Sequence, residues 1–327
     1  MTEISLETLQ KWSKLGHRNS FGESISHLAR EREDVVIVNA DITTTARLVN
    51  FKNEFPDRIF NVGIAEQNLI GFTAGLAREG LMPFAVTVAA FVPMRCAEQM
   101  RMMLGYMNLN GRVVGIESGC RFGPLGNTHF AMDDIAVTRV IPNFTVISPA
   151  DPHEIYKTVF AVAEHKGPVH IRLTGAPGFP LLYPDDFDFE IGKAIEYHPG
   201  KDVAIICTGS VLWEGIRAAE ILEKKGISAR IIDMHTLKPL DCNMLDSVFA
   251  ENQLVVTVEE HSVIGGLGSA VAEYKAGFSN APKQIMCSLG DSFKKIGNYE
   301  FHMKNAGLVA EDIAEKVVMS LDGQKLG

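Results

Sequence analysis

The stretch Asn61-Val62-Gly63-Ile64-Ala65-Glu66-Gln67-Asn68 places a single carboxylate directly after a short apolar run that contains a glycine. Apolar residues then recur at helical spacing, at Leu69, Phe72 and Leu76. This spacing predicts an amphipathic helix over residues 65–78, with Glu66 in its first turn, where unpaired backbone amides favour an anion. These residues alone fit a Glu66 that only caps the helix at least as well as a Glu66 with a chemical role.

On both sides of this stretch, strand-like and helix-like segments alternate, which predicts an α/β fold. Strands are expected at 35–38, 83–88, 113–116, 145–147, 169–173, 203–208, 228–233, 254–258 and 284–288. Helices are expected within 4–30 and at 65–78, 91–108, 132–140, 152–165, 211–225, 268–278 and 309–321. The proline-rich, acidic stretch 174–199 reads as irregular. We therefore expect two domains, residues 1–180 and 200–327, joined by a linker at 181–199. Each should hold a mostly parallel sheet with helices on both faces.

Composition narrows the class of protein. Of the 327 residues, 46% are hydrophobic and 22% charged, and the net charge of -9 would repel nucleic acid and anionic membranes. No run of about 18 apolar residues and no secretory leader pattern is present, so we expect a cytoplasmic protein without membrane contact. The five cysteines are scattered without a Cys-x-x-Cys pair, which argues against a zinc site or a disulfide framework. We expect no metal ligands in this chain.

The motif Gly63-Ile64-Ala65-Glu66-Gln67-Asn68, followed by Ala74-Gly75-Leu76-Ala77-Arg78-Glu79-Gly80, resembles the pyrimidine-domain signature of the transketolase family of thiamine diphosphate enzymes. The resemblance implies that Glu66 is catalytic: it would hydrogen-bond the aminopyrimidine ring of thiamine diphosphate and promote ionisation of the thiazolium carbon. It extends over nearly the whole chain and implies a pyrimidine-binding domain followed by a transketolase C-terminal domain.

Other positions match the family's cofactor site. Phe91 matches the aromatic residue that stacks on the aminopyrimidine ring, although a lone Phe is usually a core residue. Asp41, at the end of the strand expected at 35–38, matches an acidic residue near the cofactor, although it could equally cap residues 43–45. Ile64 completes the implied cofactor contacts. His129, in Gly126-Asn127-Thr128-His129, matches a histidine that contacts the reacting end of the donor and would be both catalytic and substrate-binding.

The implied substrate site is less complete. Arg18 matches an arginine that binds the terminal phosphate of sugar substrates, and Thr45 matches a nearby hydroxyl residue. Three positions depart from the family: Leu125 replaces an Asp that reads a sugar hydroxyl, Glu117 a histidine and Gly175 an arginine of the phosphate cluster. Arg121 has no counterpart in the family and is a candidate to supply the lost charge. A phosphate dianion usually binds several cationic donors, so we expect a sulfonate or a neutral tail to suit this cluster better.

The sequence contains no Gly-Asp-Gly, the motif with which transketolases hold magnesium and the diphosphate. The resemblance therefore implies a subunit of a split transketolase that is inert alone. Its partner, an N-terminal-half subunit carrying Gly-Asp-Gly, would hold Mg²⁺. We expect a two-plus-two heterotetramer with the cofactor between the subunits, and transfer of a two-carbon ketol unit from a ketose to an aldose.

Three other functions compete with this hypothesis. A β subunit of a 2-oxo acid dehydrogenase has a similar two-domain layout, but Thr128-His129 favours the ketol transferase. A 1-deoxyxylulose-5-phosphate synthase-like half would use pyruvate and usually carries an Asp where Leu125 stands. A non-catalytic transketolase-like regulatory subunit is a fourth possibility, against which the intact Glu66 and Phe91 argue.

Overall fold

The strands and helices of the chain form two β-sheets with helices packed on them. The computed structural model describes residues 4–325, with side chains through residue 322. The strands are β1 Val35–Asn39, β2 Ile59–Asn61, β3 Met82–Val88, β4 Arg112–Ile116, β5 Thr145–Ile147, β6 Val169–Arg172, β7 Ile195–His198, β8 Val203–Cys207, β9 Ala229–Asp233, β10 Thr236–Lys238, β11 Leu254–Val258 and β12 Lys283–Cys287. The helices are α1 Leu6–Leu15, α2 His17–Glu31, α3 Val49–Glu54, α4 Glu66–Arg78, α5 Ala97–Gln99, α6 Asp134–Arg139, α7 Pro152–Glu164, α8 Leu212–Glu223, α9 Cys242–Glu251, α10 Leu267–Lys275, α11 Tyr299–Ala306 and α12 Ala310–Lys325.

The order of the strands confirms the predicted fold class. The first sheet runs β10-β5-β6-β4-β3-β1-β2 and the second runs β12-β11-β8-β9-β7. Neighbouring strands are parallel except at one edge of each sheet. The central strands β1, β3, β4, β8, β9 and β11 are buried along their whole length, as their β-branched sequences predict. Over the described residues, no helix is both long and apolar enough to cross a lipid bilayer.

Three short edge strands were not predicted: the parallel strand β2 beside β1, and the antiparallel strands β7 and β10. The antiparallel strand β7 pairs with β9 and lies inside the stretch expected to be a linker, so the chain joins the second sheet before residue 200. The antiparallel strand β10 comes from the second half of the sequence but pairs with β5 at the edge of the first sheet. With three or four residues each, these strands are too short to carry a recognisable alternation. The strand β10 ties the two halves of the chain together by backbone hydrogen bonds.

The helix predicted over residues 91–108 is wrong in its first half. The chain forms a 3₁₀ turn at Ala89–Phe91, an irregular segment, the short α5, and then a π-helix at Met100–Tyr106. Pro93 explains the break because its ring removes a backbone donor and clashes with the preceding turn of a helix. The segment 92–96 is therefore not a regular helix, although the Cys96 amide still donates to the Val92 carbonyl at 3.0 Å.

The start of α7 also fixes the connection between the two sheets. Asp151 caps the helix by accepting a hydrogen bond from the Glu154 amide at 2.9 Å, with Pro152 at the first helical position. The other oxygen of Asp151 accepts from the amides of Leu182 and Tyr183 at 2.8 Å each. One buried carboxylate thus holds both a helix start and the segment that leads to the second sheet.

A pair of buried acids connects the two sheets at the same place. Glu154 of α7 and Asp233 at the end of β9 are both fully buried and lie close enough for their charges to interact. Tyr183 donates to Asp233 Oδ2 at 2.8 Å. Burial raises the pKa of Glu154 well above its usual range and that of Asp233 to about 7. The pair therefore retains a shared proton at pH values where both acids are ionised in the unfolded chain.

This shared proton predicts a pH dependence of stability. Below about pH 3 both acids are protonated in the folded and unfolded chains, so the pair contributes no slope. Between about pH 5 and 7 only the folded chain keeps the proton, so the pair lowers the free energy of unfolding by about 1.4 kcal/mol per pH unit. Glu154→Gln mimics the protonated acid and should reduce this slope, because only Asp233 of the pair is then left to titrate.

The measurement is chemical denaturation of the wild type and Glu154→Gln from pH 5 to 7.5. The difference between the two unfolding free energies should grow in favour of the variant as the pH rises. Glu164→Gln, on the exposed end of the same helix, is the matched control and should show no such trend. A constant difference between the wild type and Glu154→Gln would contradict the shared proton.

Candidate functional site

The residues singled out by the sequence lie where four neighbouring strands end. β4, β3, β1 and β2 are adjacent and parallel, so their carboxyl ends meet at one edge of the first sheet. Asp41, Glu66, Phe91 and Glu117 follow the ends of β1, β2, β3 and β4, respectively. Such an edge is where open α/β sheets bind their ligands.

Glu66 begins α4 and is 4% exposed. Its Oε2 accepts a hydrogen bond from Arg95 Nη1 at 2.8 Å, and Arg95 itself is 48% exposed. The residue before it, Ala65, makes no side-chain cap, so Glu66 brings the negative charge to this helix start. A buried carboxylate is costly unless it is paired, and Arg95 is the pairing group that the structure provides.

An aromatic cluster extends from this carboxylate. The Arg95 guanidinium lies over the Phe91 ring at 4.6 Å from its centroid. The Phe91 ring meets the His129 ring edge to face at 5.2 Å, and Phe122 meets His129 on another side at 6.0 Å. His129 Nδ1 pairs with Thr128 Oγ1 at 3.0 Å, which leaves Nε2 as the nitrogen available to a ligand. The structure thus brings Glu66, Phe91 and His129 into one site.

Asp41 and Ile64 border this site without contacting Glu66. Asp41 has a positive φ of 57° and accepts a hydrogen bond from Asn61 Nδ2 at 2.8 Å. Asn61 Oδ1 in turn accepts from the amides of Asp41 and Gly63 at 3.0 Å each. Asp41 does not cap the segment 43–45, because Asn39 accepts from Ile42 and Thr43 there. Ile64 is 79% exposed, an unusual position for a large aliphatic side chain.

The substrate-binding candidates form a charged cluster around Glu117. The buried Glu117 lies between Arg18, whose Nε is 2.5 Å from Oε1, and Arg121, whose Nε is 3.8 Å from Oε2. Arg18 Nη1 donates to the Thr45 carbonyl at 3.0 Å, while the side chain of Thr45 is exposed. Burial raises the pKa of Glu117, and the two arginines oppose this shift. Glu117 therefore neutralises one of these two arginines, and Arg47, whose charge helps to lower the pKa of Arg18, adds a further positive charge nearby.

Two buried nitrogens near this cluster have no hydrogen-bond partner. Arg121 Nε makes no hydrogen bond, and neither does Nε2 of the fully buried His17. Burial and the charge of Arg121 lower the pKa of His17 to about 3, so the ring is neutral. His17 Nδ1 accepts from the Gly175 amide at 2.8 Å, and a Cβ on Gly175 would lie 2.1 Å from the ring. The missing arginine at 175 is thus explained by the close packing of His17.

The loop that carries Arg121 and His129 is closed at its base. Gly119 and Ala131 form an antiparallel bridge, and the buried Arg172 donates to the Ala131 carbonyl at 3.3 Å. The Cys120 amide donates to Glu260 Oε1 at 2.8 Å. Arg172 also forms a salt bridge to Asp134 at 2.7 Å, and both residues are fully buried. These contacts fix both ends of the loop, and the loop carries the side chains of Arg121 and His129.

The second sheet's half of the chain also reaches this loop. Asn127 exchanges hydrogen bonds with the backbone of Lys294, at 2.7 Å in each direction. Arg121 lies 5.3 Å from the centroid of the Tyr299 ring, on α11. Leu125, which replaces the family's Asp, is 52% exposed. Tyr299 and Lys294 could not be predicted from the sequence, because no local pattern connects them to a loop more than 160 residues earlier.

The site fits the pyrimidine half of the implied cofactor. An aminopyrimidine ring needs an acceptor carboxylate and a flat apolar face, and Glu66 and Phe91 offer both. The planar, cationic guanidinium of Arg95 already makes both contacts and acts as a stand-in for such a ring. Across residues 4–322, no group of three or more His, Cys, Asp or Glu side chains is arranged to hold a metal ion.

Two family models and several known proteins are similar to this chain. The models of the transketolase pyrimidine-binding domain and of the transketolase C-terminal domain match residues 13–176 and 192–313. A putative transketolase C-terminal section of Methanocaldococcus jannaschii is 38% identical over 93% of this chain and 95% of its own length. A 6-deoxy-6-sulfo-D-fructose transketolase subunit of Clostridium sp. is 34% identical over 90% of this chain and 91% of its own.

One solved structure is similar over nearly the whole chain. It is a split-gene transketolase described as an inactive β4 tetramer. It superimposes with a TM-score of 0.85 at 36% sequence identity, covering 94% of this chain and 98% of its own. The similarity therefore extends through both sheets and the connection between them.

Proposed function

The chain belongs to the transketolase family, and we propose that it is the catalytic C-terminal subunit of a split transketolase that uses thiamine diphosphate. In this role it transfers a two-carbon ketol unit from a ketose to an aldose. The observation that carries the proposal is the meeting of Glu66, Phe91 and His129 at one strand-end edge. An acceptor carboxylate, a stacking face and a proton donor are the three groups that this chemistry requires from the protein.

Each residue has a defined task in this proposal. Thiamine diphosphate, when bound, would supply a carbon nucleophile for ketol transfer. Glu66 accepts a hydrogen bond from the aminopyrimidine ring and stabilises its protonated form, and Phe91 holds the plane of the ring. His129 presents Nε2 to the substrate, where it hydrogen-bonds the oxygen on which charge develops. Asp41 and Ile64 line the cofactor's surroundings from the neighbouring strand ends.

A partner subunit completes the proposed enzyme. The similar chains are named as a section or a subunit of a transketolase, and the similar structure is described as an inactive assembly of β chains alone. The sequence lacks Gly-Asp-Gly, so the partner would hold the diphosphate and Mg²⁺. An apolar face fit for burial borders the site, formed by the exposed side chains of Met94, Met102, Met103, Tyr106 and Met107. We propose that it contacts the partner in a two-plus-two heterotetramer.

The Glu66→Gln variant tests the catalytic role. The amide keeps the size of the side chain but cannot accept a proton. It should lower kcat of the enzyme reconstituted with its partner by at least about 100-fold, a typical contribution of general acid–base catalysis. The measurement is ketol transfer between a ketose and an aldose under saturating cofactor.

Glu98→Gln is the matched control, since Glu98 is an exposed glutamate nearby that pairs with the surface residue Arg101. It should leave the rate unchanged. Retention of near wild-type turnover by Glu66→Gln would reduce Glu66 to a helix cap and refute the mechanism.

The charged cluster around Glu117 bears on the tail of the substrate. A phosphate monoester carries a charge of about -1.5 to -2 at pH 7, more than the single net positive charge that Arg18, Arg121 and Glu117 supply without the neighbouring Arg47. A sulfonate carries a single negative charge and matches the cluster. The unpartnered Arg121 Nε is a buried donor for such an oxygen. We propose that the preferred ketose has a sulfonate tail, the substrate type named for the Clostridium relative.

The tail preference predicts a set of relative rates. The wild type should have a higher kcat/KM for 6-deoxy-6-sulfofructose than for fructose 6-phosphate. Glu117→Gln removes the negative charge and should shift the ratio toward the phosphate by about tenfold, the effect of roughly 1.4 kcal/mol. Arg18→Ala should lower kcat/KM for both anionic substrates. A clear wild-type preference for the phosphate ester contradicts the sulfonate assignment, and an unchanged tail ratio in Glu117→Gln removes Glu117 from it.

A further inference from the structure

Arg95 occupies the position that the proposed cofactor needs. Its Nη1 is 2.8 Å from Glu66 Oε2, and its guanidinium lies 4.6 Å from the centroid of the Phe91 ring. These are the acceptor and the stacking face that the proposed function assigns to the aminopyrimidine ring. Because two planar groups cannot use the same oxygen and the same ring face together, binding of one excludes the other.

The surrounding structure allows the Arg95 side chain to leave. The side chain is 48% exposed, so it has a path to solvent, whereas Glu66 is 4% exposed. Its backbone carbonyl is held by Gln67 Nε2 at 3.3 Å, which anchors the main chain while the side chain turns. The segment 92–96 lies between the 3₁₀ turn at Ala89–Phe91 and the π-helix at Met100–Tyr106, outside regular helix. Within it the Cys96 amide donates to the Val92 carbonyl at 3.0 Å, so the backbone is held while the Arg95 side chain turns.

We propose that Arg95 is a placeholder for the cofactor. In the cofactor-free protein it neutralises the buried Glu66 and covers Phe91. Binding of the aminopyrimidine ring then displaces the guanidinium into solvent and transfers both contacts to the cofactor. The inference rests on the proposed function and adds that the displacement of Arg95 lowers the affinity of this chain for the cofactor. The exchange makes and breaks hydrogen bonds and a stacking contact, and it changes no covalent bond.

The placeholder allows the protein to meet two opposing requirements on Glu66. A carboxylate that is to receive a ring nitrogen must be kept dry and accessible, but a dry carboxylate without a counter-charge is destabilising. A cation on a half-exposed side chain provides the counter-charge, and its departure to water costs little because an exposed guanidinium is fully hydrated. A lysine could neutralise Glu66 but lacks the plane that covers the Phe91 ring.

The test is thiamine diphosphate affinity of the complex with the partner subunit, measured by titration calorimetry with Mg²⁺ present. Arg95→Ala should bind the cofactor about tenfold more tightly than the wild type, because nothing has to be displaced. Arg95→Lys should fall between the two. Arg101→Ala, which removes an exposed arginine paired with Glu98, is the control and should bind as the wild type does.

A second measurement separates displacement from general loosening of the fold. Guanidinium ion at about 20 mM should refill the space left in Arg95→Ala and weaken cofactor binding toward the wild-type value, while the wild type responds little. The Arg95→Ala chain without cofactor should also melt at a lower temperature than Arg101→Ala, because Glu66 is left buried and unpaired.

The outcomes distinguish this inference from the function on which it rests. Equal or weaker cofactor binding by Arg95→Ala, or no effect of guanidinium on that variant, overturns the placeholder and leaves the proposed function standing. If neither the wild-type complex nor any variant binds thiamine diphosphate, the proposed function fails and the placeholder fails with it.

Discussion

The buried salt bridge between Arg172 and Asp134 is the interaction on which the site depends most. Both side chains are fully buried, one at the end of β6 and the other at the start of α6. Arg172 also donates to the carbonyls of Ala131 and Glu260, so one guanidinium joins the first sheet, the loop 119–131 and the second half of the chain. Removing one member of such a pair typically costs about 3–5 kcal/mol, because the other charge remains buried. Here the loss would also release the loop that carries Arg121 and His129.

The site itself is a set of opposite charges that hold one another in place. Arg95 neutralises Glu66, and Arg18 and Arg121 flank Glu117. Each carboxylate is buried, while the arginines that pair with it are more exposed. This asymmetry lets a ligand compete for the arginines without unfolding the acid's surroundings. The strands beneath are apolar and fully buried, so their ends present these charges on a rigid base.

The sequence predicts the elements with a strong period well and long-range contacts poorly. The start of α4 at Glu66 and the cap of α7 at Asp151 follow from local rules, and the strand ends place Asp41, Phe91 and Glu117 at one edge. The edge strands β7 and β10 are too short to leave a pattern. The role of Arg95 could not be predicted either, because its contact with Glu66 spans 29 positions and depends on an irregular segment after Pro93. Packing between segments that are distant in the sequence determines these edge strands and the position of Arg95, and local propensity does not.

The most direct test of the account is a structure of this chain with its partner subunit and thiamine diphosphate. The account predicts the aminopyrimidine ring on the Phe91 face, with a ring nitrogen about 2.7–3.2 Å from the Glu66 carboxylate. It also predicts that the diphosphate and Mg²⁺ contact the partner and not this chain's second sheet. A cofactor bound away from Glu66, or bound wholly within this chain, would contradict the central claim that the two subunits share one active site.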